Sequence, residues 1–223
     1  MNKLYFDIGA NIGEYAKKLF LTKNVDKVIC VEANPNIIQA LKNNLSSYSN
    51  KIEIINKAVS SFKENVEFYI CSQVDVISTC DLDWKDKSRF SKSTNPNSKW
   101  ALTDSAWDKI VIETISIDKL VELYGIPSEI KIDVEGYELN VVKSMKNFYN
   151  CLLSFEWAEE KLLEMIETIE YLYELGYRDF NIQFEDKYDY SPIDYLNKVD
   201  FINLLNKSCV IYRFEKWGMI FCK

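Results

Sequence analysis

The sequence has 223 residues, 48% of them hydrophobic and 27% charged, which is a globular composition and excludes a disordered or collagen-like chain. Its formal net charge of −7 argues against non-specific binding to nucleic acid, because such binding requires Lys and Arg to neutralise phosphates. No histidine is present, so a Ser-His-Asp triad is excluded and a general base must be another side chain or water.

The apolar runs and the cysteines indicate the cellular compartment in which the protein is expected. Asp7 interrupts the first apolar run too early for a signal-peptide core, and no run approaches the ~18 residues of a membrane-spanning helix. A cytoplasmic protein that does not contact membranes is therefore expected. The six cysteines include no C-x-x-C pair and are expected to be reduced and structural, and no zinc site is expected.

The first part of the chain alternates apolar runs with segments of helical spacing. Strands are predicted at Leu4–Ile8, Lys27–Val31, Ile52–Val59 and Val66–Cys71, the last two lying close together. The segment Gly9–Gly13 predicts a turn that leads into a helix at Glu14–Leu21. A second helix is predicted after Glu32, with Asn34 as its N-cap and Pro35 at its first position.

The segment Ser72–Lys109 breaks this rhythm. It is polar and long, which is typical of a lid or a binding loop in a compact domain. Trp84, Trp100 and Trp107 favour a lid over disorder, because disordered segments are poor in aromatic residues. These tryptophans would either stack on a sugar face or anchor the loop to the core, and the sequence leaves both options open.

The remainder of the chain returns to the alternating pattern. Strands are predicted at Ile110–Ile117, Ile130–Val134, Leu152–Phe155, Tyr177–Phe184 and Gly218–Cys222. Helices are predicted after Asp118, which would be the N-cap, at Tyr137–Met145, at Glu159–Leu175 and near Phe201–Leu205. The third of these has an apolar face formed by Leu162, Leu163, Ile166, Ile169 and Leu172. The alternation predicts a single α/β domain over residues 1–223, with a mostly parallel sheet, helices on both faces and a second substrate-side segment at Glu185–Lys216.

A glycine-rich turn and a distant carboxylate suggest a nucleoside-containing ligand. Gly9 and Gly13 allow a sharp turn after the first strand, and Glu32 follows the second strand, where a carboxylate can accept both ribose hydroxyls. The turn lacks G-x-G-x-x-G, and Asp7 before it would repel a pyrophosphate but suits the amino group and sulfonium of S-adenosylmethionine. The alternative is that the glycines only shape the turn and Glu32 is a solvated strand end.

Several segments resemble the FkbM family of methyltransferases. They are D-I-G-A-N-I-G at 7–13, V-E-A-N-P at 31–35, N-K-A-V-S at 56–60, T-I-S-I-D-K-L at 114–120 and I-K-I-D-V-E-G-Y-E at 130–138. The resemblance spans about Tyr5 to Phe155 and implies a Rossmann-like fold with a seven-stranded sheet and O-methylation, often of sugars or polyketide-type hydroxyls. It implies that the methionine end of the cofactor lies against Asp7, Gly9, Asn11 and Gly13. It also implies that Glu32 holds the ribose, that Ala58 lies beside the adenine, and that Ala10 and Ala33 belong to the same cofactor site.

Carboxylates at the strand ends are the candidates for the reaction centre. Asp133 follows a strand within the motif and is the first choice of base, with Glu135 and Glu156 next. Lys131 would pair with one of them or point to the other side of the strand. Asp133 has a structural alternative, which is to cap the next helix or to bond backbone amides around Gly136. Such carboxylates also suit a divalent cation, although no metal site is predicted.

The function expected from these residues is S-adenosylmethionine-dependent O-methylation of a small molecule: a sugar, nucleotide-sugar or glycan. One alternative is a catalytically inactive cofactor-binding scaffold or partner subunit, and another is a nucleotide-binding oxidoreductase. The sequence leaves the acceptor, the metal dependence and the oligomeric state open, a homodimer included.

Overall fold

The described residues of this computed structural model, 3–61, 64–91, 106–184, 194–211 and 217–223, form two β-sheets with helices packed against the larger one. The strands are β1 (Leu4–Ile8), β2 (Lys27–Val31), β3 (Ile52–Ile55), β4 (Ala58–Val59), β5 (Asn65–Cys71), β6 (Trp107–Ile115), β7 (Glu129–Ile132), β8 (Leu152–Ala158), β9 (Asp179–Phe184), β10 (Leu196–Asn197) and β11 (Trp217–Cys222). The α-helices are α1 (Glu14–Thr22), α2 (Ile38–Asn44), α3 (Leu82–Lys87), α4 (Ile117–Tyr124), α5 (Glu138–Val142), α6 (Leu162–Leu175) and α7 (Lys198–Ile211).

The larger sheet has eight strands in the order β10-β9-β11-β8-β7-β1-β2-β3. The strands from β8 to β3 are mutually parallel, whereas β11 runs antiparallel between β8 and β9 and β10 pairs antiparallel with β9. Strand β1 lies between β7 and β2, and all of its residues are buried. The expected α/β fold with a mostly parallel sheet is confirmed, and the two-residue strand β10 is added to the seven expected strands.

Side chains alternate across β1 and contact different helices on the two faces of the sheet. Leu4, Phe6 and Ile8 belong to a core shared with residues of α4, α5, α6 and α7. Tyr5 belongs to a second core, shared with residues of α1 and α2. Helices therefore cover both faces at β1, and a ligand site is expected where the parallel strands end.

The smaller sheet, in the order β4-β6-β5, corrects the interpretation of the sequence. The strand predicted at Ile52–Val59 is wrong as a single element, because it is divided between β3 in the larger sheet and β4 in the smaller one. Asn56 lies at the division, where its Nδ2 donates to the backbone oxygens of Glu32 and Ala33 at 2.8 and 3.1 Å and holds the chain beside the end of β2. The next predicted strand, β5, pairs with β6 and not with β3.

Two details of the predicted helices are wrong. The N-cap of α4 is Ser116, whose side chain accepts a backbone hydrogen bond, whereas Asp118 lies in the first turn. In α6, Leu163 is 82% exposed, because Met165 faces the core and residues two apart lie on different sides of a helix. The buried residues of α6 are Met165, Thr168, Ile169 and Leu172.

The segment that interrupts the sequence pattern contains α3, a 3-10 turn at Asp75–Ile77 and the start of β6. Trp84 is only 2% exposed, which favours anchoring over sugar stacking for this side chain. Trp107 begins β6, and Trp100 lies outside the described residues. Within the other segment of uncertain role, 185–216, β10 joins the sheet edge and α7 contributes Phe201 and Leu205 to the core.

The helices and the cysteines of the described residues give two further findings. None of their helices has the length and apolar character that crossing a bilayer requires. Their cysteines are free, and four of them are buried: Cys30, Cys71, Cys151 and Cys222.

Candidate active site

A cavity of about 480 Å³ opens where β1, β2 and β7 end and beside Glu156 of β8. Most of the predicted site residues line it: Gly9, Ala10, Asn11, Glu32, Ala33, Ala58, Lys131, Asp133, Glu135 and Glu156. Asp7 and Gly13, also expected at the cofactor, are not among the lining residues. The segments after β1, β2 and β7 therefore meet in one cavity, as the parallel topology requires, and Glu156 joins them from within β8, which extends three residues past the predicted end at Phe155.

The glycine turn brings the end of β1 against the end of β7. A Cβ atom added to Gly9 would lie 1.8 Å from the carbonyl oxygen of Asp133, and the φ of Gly9 is +74°. Gly13, at φ +85°, packs against Leu41 of α2, whose Cδ1 would lie 2.7 Å from an added Cβ. Gly9 is therefore required by a backbone contact as well as by its backbone conformation, whereas Gly13 is required mainly by its positive φ, since the leucine side chain beside it can shift.

Glu32 is held at the end of β2 by two backbone amides. Its Oε2 accepts from the amide of Asn11 at 2.8 Å, and its Oε1 accepts from the amide of Asn34 at 2.6 Å. Burial raises the pKa of Glu32 to about 7, against the lowering effect of these hydrogen bonds. Each carboxylate oxygen retains an accepting lone pair, so the geometry is compatible with a bound diol such as ribose.

Asp7 lies behind the cavity wall, beside Lys131. Its side chain is fully buried, and burial raises the pKa of Asp7 to about 6. The Nζ atom of Lys131 lies 3.5 Å from Oδ1 of Asp7 and 3.1 Å from Oδ2 of Asp133, and it donates to the carbonyl of Gly9 at 3.2 Å. Lys131 thus connects the glycine turn to the carboxylate at the end of β7.

Three carboxylates converge at the end of the cavity formed by β7 and β8. One oxygen from each of Asp133, Glu135 and Glu156 lies within 4.8 Å of the others. Burial, with repulsion from the neighbouring carboxylates, holds the pKa of Glu135 and of Glu156 well above the usual range. Such oxygens can accept protons or hydrogen bonds from a hydroxyl-bearing ligand, and they are also the ligand type that a divalent cation accepts.

Glu138 performs the structural task considered for Asp133. Its Oε1 accepts from the amides of Val134 and Gly136 at 3.0 and 3.3 Å and so stabilises the turn after β7. Burial raises the pKa of Glu138 to about 7. Glu138 belongs to the motif I-K-I-D-V-E-G-Y-E at 130–138. Nothing in that motif distinguished Glu138 from the other carboxylates as the one that stabilises the turn.

The segment before β6 closes the cavity over this turn. Thr79 donates from Oγ1 to the carbonyl of Glu135 at 2.6 Å, and Trp84 packs where a side chain on Gly136 would lie. Phe90 and Trp217 also line the cavity, with their rings edge to face at 6.3 Å. Phe90 follows α3 by three residues, and Trp217 begins β11. No motif in the sequence marks either of them as a site residue.

Comparisons with known proteins fit this geometry. A profile of the methyltransferase FkbM domain matches residues 7–178. The fold is similar to the crystal structure of methyltransferase FkbM from Methylobacillus flagellatus KT, with a TM-score of 0.55 and 15% identity over 100% of this chain and 44% of that one. This chain therefore spans less than half the length of that protein. No curated protein matches the sequence.

Two further solved structures are more distant. The SAM-dependent O-methyltransferase from Thermotoga maritima has a TM-score of 0.46 and 11% identity, over 99% of this chain and 58% of that one. The TYW2 protein of M. jannaschii, solved in complex with AdoMet, has a TM-score of 0.43 and 12% identity, over 99% of this chain and 68% of that one.

Proposed function

The chain belongs to the FkbM family of S-adenosylmethionine-dependent methyltransferases, and we propose that it methylates a hydroxyl of a small molecule, namely a sugar, nucleotide-sugar or glycan. The observation that carries the proposal is that one cavity joins the Glu32 end to three convergent carboxylates. The Glu32 end would hold the methyl donor. The carboxylate end would hold the acceptor hydroxyl.

The residues around the glycine turn fit S-adenosylmethionine. Glu32 has accepting lone pairs for the two ribose hydroxyls, and Ala33 and Ala58 offer small apolar surfaces for the adenine. The carboxylates that line the cavity suit a ligand with a positive amino group and a sulfonium. A pyrophosphate, in contrast, would meet no arginine among the described lining residues.

Asp133 is the proposed general base. When bound, S-adenosylmethionine supplies an electrophilic methyl group, so its C–S bond breaks as the new C–O bond forms and a neutral thioether departs. Asp133 would accept the proton that leaves the acceptor hydroxyl, and Lys131 would hold the Asp133 carboxylate in position. General-base assistance of this kind contributes roughly 10²- to 10⁴-fold to a rate.

Glu135 and Glu156 would orient the acceptor. Their carboxylate oxygens lie beside that of Asp133 and can accept hydrogen bonds from neighbouring hydroxyls. Phe90 and Trp217, which line the cavity, would limit the access of water to this end of it. Fixed orientation of two reactants in a closed site can supply about 7 to 11 kcal/mol of a reaction barrier.

Binding and turnover test the proposal separately. Calorimetry should show binding of S-adenosylmethionine and S-adenosylhomocysteine, and transfer of a radiolabelled methyl group should follow on a panel of sugars, nucleotide-sugars and glycans. Asp133→Asn serves as the variant that should bind but not transfer. Binding without transfer on the whole panel would contradict the proposal and favour the scaffold, and binding of NAD but not of S-adenosylhomocysteine would favour the oxidoreductase. Activity undiminished by excess EDTA would exclude a divalent cation from the reaction.

A further inference from the structure

The charge and hydrogen-bonding capacity of the carboxylate end point to the class of acceptor. We infer that the acceptor is a polyhydroxylated molecule without negative charge, and that an amino group on it strengthens binding. The inference rests on the proposed function and narrows it, because it removes nucleotide-sugars and uronic acids from the possible acceptors. We call this part of the cavity the acceptor end and define it by six residues: Phe90, Lys131, Asp133, Glu135, Glu156 and Trp217.

The acceptor end has an excess of carboxylates. Of its described residues, three are acidic and Lys131 is the single cation. Lys131 is already engaged, because it lies 3.1 Å from Asp133 and 3.5 Å from the buried Asp7. A phosphate or carboxylate on the acceptor would therefore add another negative charge where no described cation is available to it.

Two cations outside the acceptor end, Lys57 and Arg89, are also engaged. Lys57 lines another part of the same cavity and pairs with Glu113 at 2.7 Å. Arg89, whose guanidinium lies over the ring of Phe90, pairs with Glu159 at 2.7 Å and with Glu160 at 3.3 Å. An anionic acceptor would have to break these ion pairs to recruit Arg89. The described residues in and around the acceptor end therefore favour an acceptor molecule that needs no cationic partner.

In their ionised form the carboxylates offer acceptors and lack donors. Within the described ranges, Glu135 receives one side-chain hydrogen bond, from Nε1 of Trp84 at 3.1 Å, and no donor reaches the Glu156 carboxylate. Hydroxyl and ammonium groups supply the donors that such oxygens need, whereas phosphate and carboxylate supply further acceptors. A polyol or an amino sugar therefore matches this end of the cavity.

The aromatic side chains agree with this chemistry. The rings of Phe90 and Trp217 meet edge to face at 6.3 Å, next to the carboxylates. Aromatic faces pack against the apolar face of a sugar ring and attract cations rather than anions.

The protonation of the site also agrees. Burial and mutual repulsion hold the pKa of Glu135 and of Glu156 well above the usual range. An ammonium group on the ligand would favour the ionised form and lower these pKa values, whereas an anionic group would raise them further.

Three matched acceptors test the inference. Methyl glycosides of glucose, glucosamine and glucuronic acid carry a neutral, a positive and a negative ring of nearly the same size, and the galacto and manno series repeat the comparison. We expect kcat/KM to be highest for the amino sugar, lower for the neutral sugar and at least roughly tenfold lower again for the uronic acid. Equal or faster methylation of the uronic acid would overturn the inference and leave the proposed function standing.

A charge variant gives the second readout. Glu156→Gln keeps the size of the side chain and removes its ionisable group, so at a pH where Glu156 is ionised the ratio of kcat/KM between neutral and acidic sugars should fall towards one. Glu122→Gln, an exposed carboxylate on α4, should leave that ratio unchanged. A ratio unchanged in Glu156→Gln would contradict the inference. No methylation of any sugar by a protein that binds S-adenosylhomocysteine would overturn the proposed function itself, which separates the two failures.

Discussion

The indole nitrogen of Trp84 lies 3.1 Å from Oε2 of Glu135 and donates a hydrogen bond to it. Glu135 has a left-handed backbone, with φ +56°, which a side chain adopts only when its surroundings hold it there. The same indole ring fills the space beside Gly136, where a Cβ atom would lie 2.9 Å from it. One tryptophan therefore determines both the position of the turn and the electrostatics of its carboxylate.

Trp84→Phe tests this relationship. The ring is kept and the N–H is lost, so the pKa of Glu135 should rise further, because the hydrogen bond from Trp84 lowers it. Because Glu135 is proposed to bind the acceptor in its ionised form, the rising limb of the pH profile of kcat/KM for the acceptor should move upwards by roughly half to one pH unit. The matched control is Trp157→Phe, since the buried indole nitrogen of Trp157 has no hydrogen-bond partner among the described residues. A profile that shifts equally in both variants would contradict the role given to Trp84.

Glu32→Ala should weaken binding of S-adenosylhomocysteine more than it slows turnover at saturating donor. The substitution removes the acceptor for the ribose hydroxyls and leaves the amides of Asn11 and Asn34 without their partner. The dissociation constant from calorimetry should rise about ten- to a hundredfold, as expected for a lost charge-assisted hydrogen bond. Glu53→Ala, an exposed carboxylate on the neighbouring strand, should bind as the wild type does.

Asp133→Asn should have the opposite pattern. The amide keeps the shape of the side chain but cannot accept the proton of the acceptor hydroxyl, so kcat should fall roughly 10²- to 10⁴-fold. The dissociation constant of S-adenosylhomocysteine should change little. If binding and turnover fell together in this variant, Asp133 would be holding the cofactor site and not acting as the base.

Gly9→Ala separates steric clash from backbone strain. The added Cβ would lie 1.8 Å from the carbonyl oxygen of Asp133, so β1 and β7 cannot keep their present distance at this end. Gly125→Ala is the control, since its φ is also positive at +95° but no atom lies within 4 Å of an added Cβ. Gly125→Ala should cost about 1 to 2 kcal/mol of unfolding free energy, and Gly9→Ala clearly more, as measured by urea denaturation.

The buried carboxyls predict an unusual dependence of stability on pH. The pKa is raised to about 6 for Asp7 and to about 7 for Glu32 and Glu138. The folded state therefore binds more protons than the unfolded state between about pH 4.5 and about pH 7, and stability present below this window is lost as pH rises through it. The unfolding free energy of the ligand-free protein should fall across the window, with Glu32 contributing on the order of 3 kcal/mol.

Urea denaturation at several pH values measures this slope. Since the sequence contains no histidine, no imidazole titration is superimposed on it. Glu32→Gln should flatten the slope, whatever its effect on absolute stability. An unfolding free energy that increases from about pH 5 to about pH 7 would contradict the prediction.

Sequence signals that act over a few residues predicted their structures well. Asn34 before Pro35 indicated an N-cap, and its side chain does accept from the amide of Asn36 at 3.0 Å. The order of strand, glycine turn and helix at the start of the chain is likewise confirmed. These features depend on hydrogen bonds and backbone angles within a short stretch, which the residue types themselves determine.

Features that depend on contacts between distant residues were missed. Asn56 ends β3 through bonds to the end of β2, and Trp217 reaches the cavity from the far end of the chain. Nothing in the nearby sequence distinguishes Trp217 from a core tryptophan, since its role depends on the strand order of the sheet. The convergence of Asp133 and Glu156 was expected, because each comes directly after the paired residues of two neighbouring parallel strands, although β8 continues past Glu156 to Ala158.

The position of β11 between β8 and β9 has a consequence for the order in which the protein assembles. Both of its neighbours precede it in the sequence, so during synthesis β9 has no partner through which to join the sheet until residues 217–222 have emerged. Pairing over such long sequence separations is slow to form. Because β11 also brings Trp217 to the cavity, the pairing of β9 with the sheet and the Trp217 side of the cavity form in the same step.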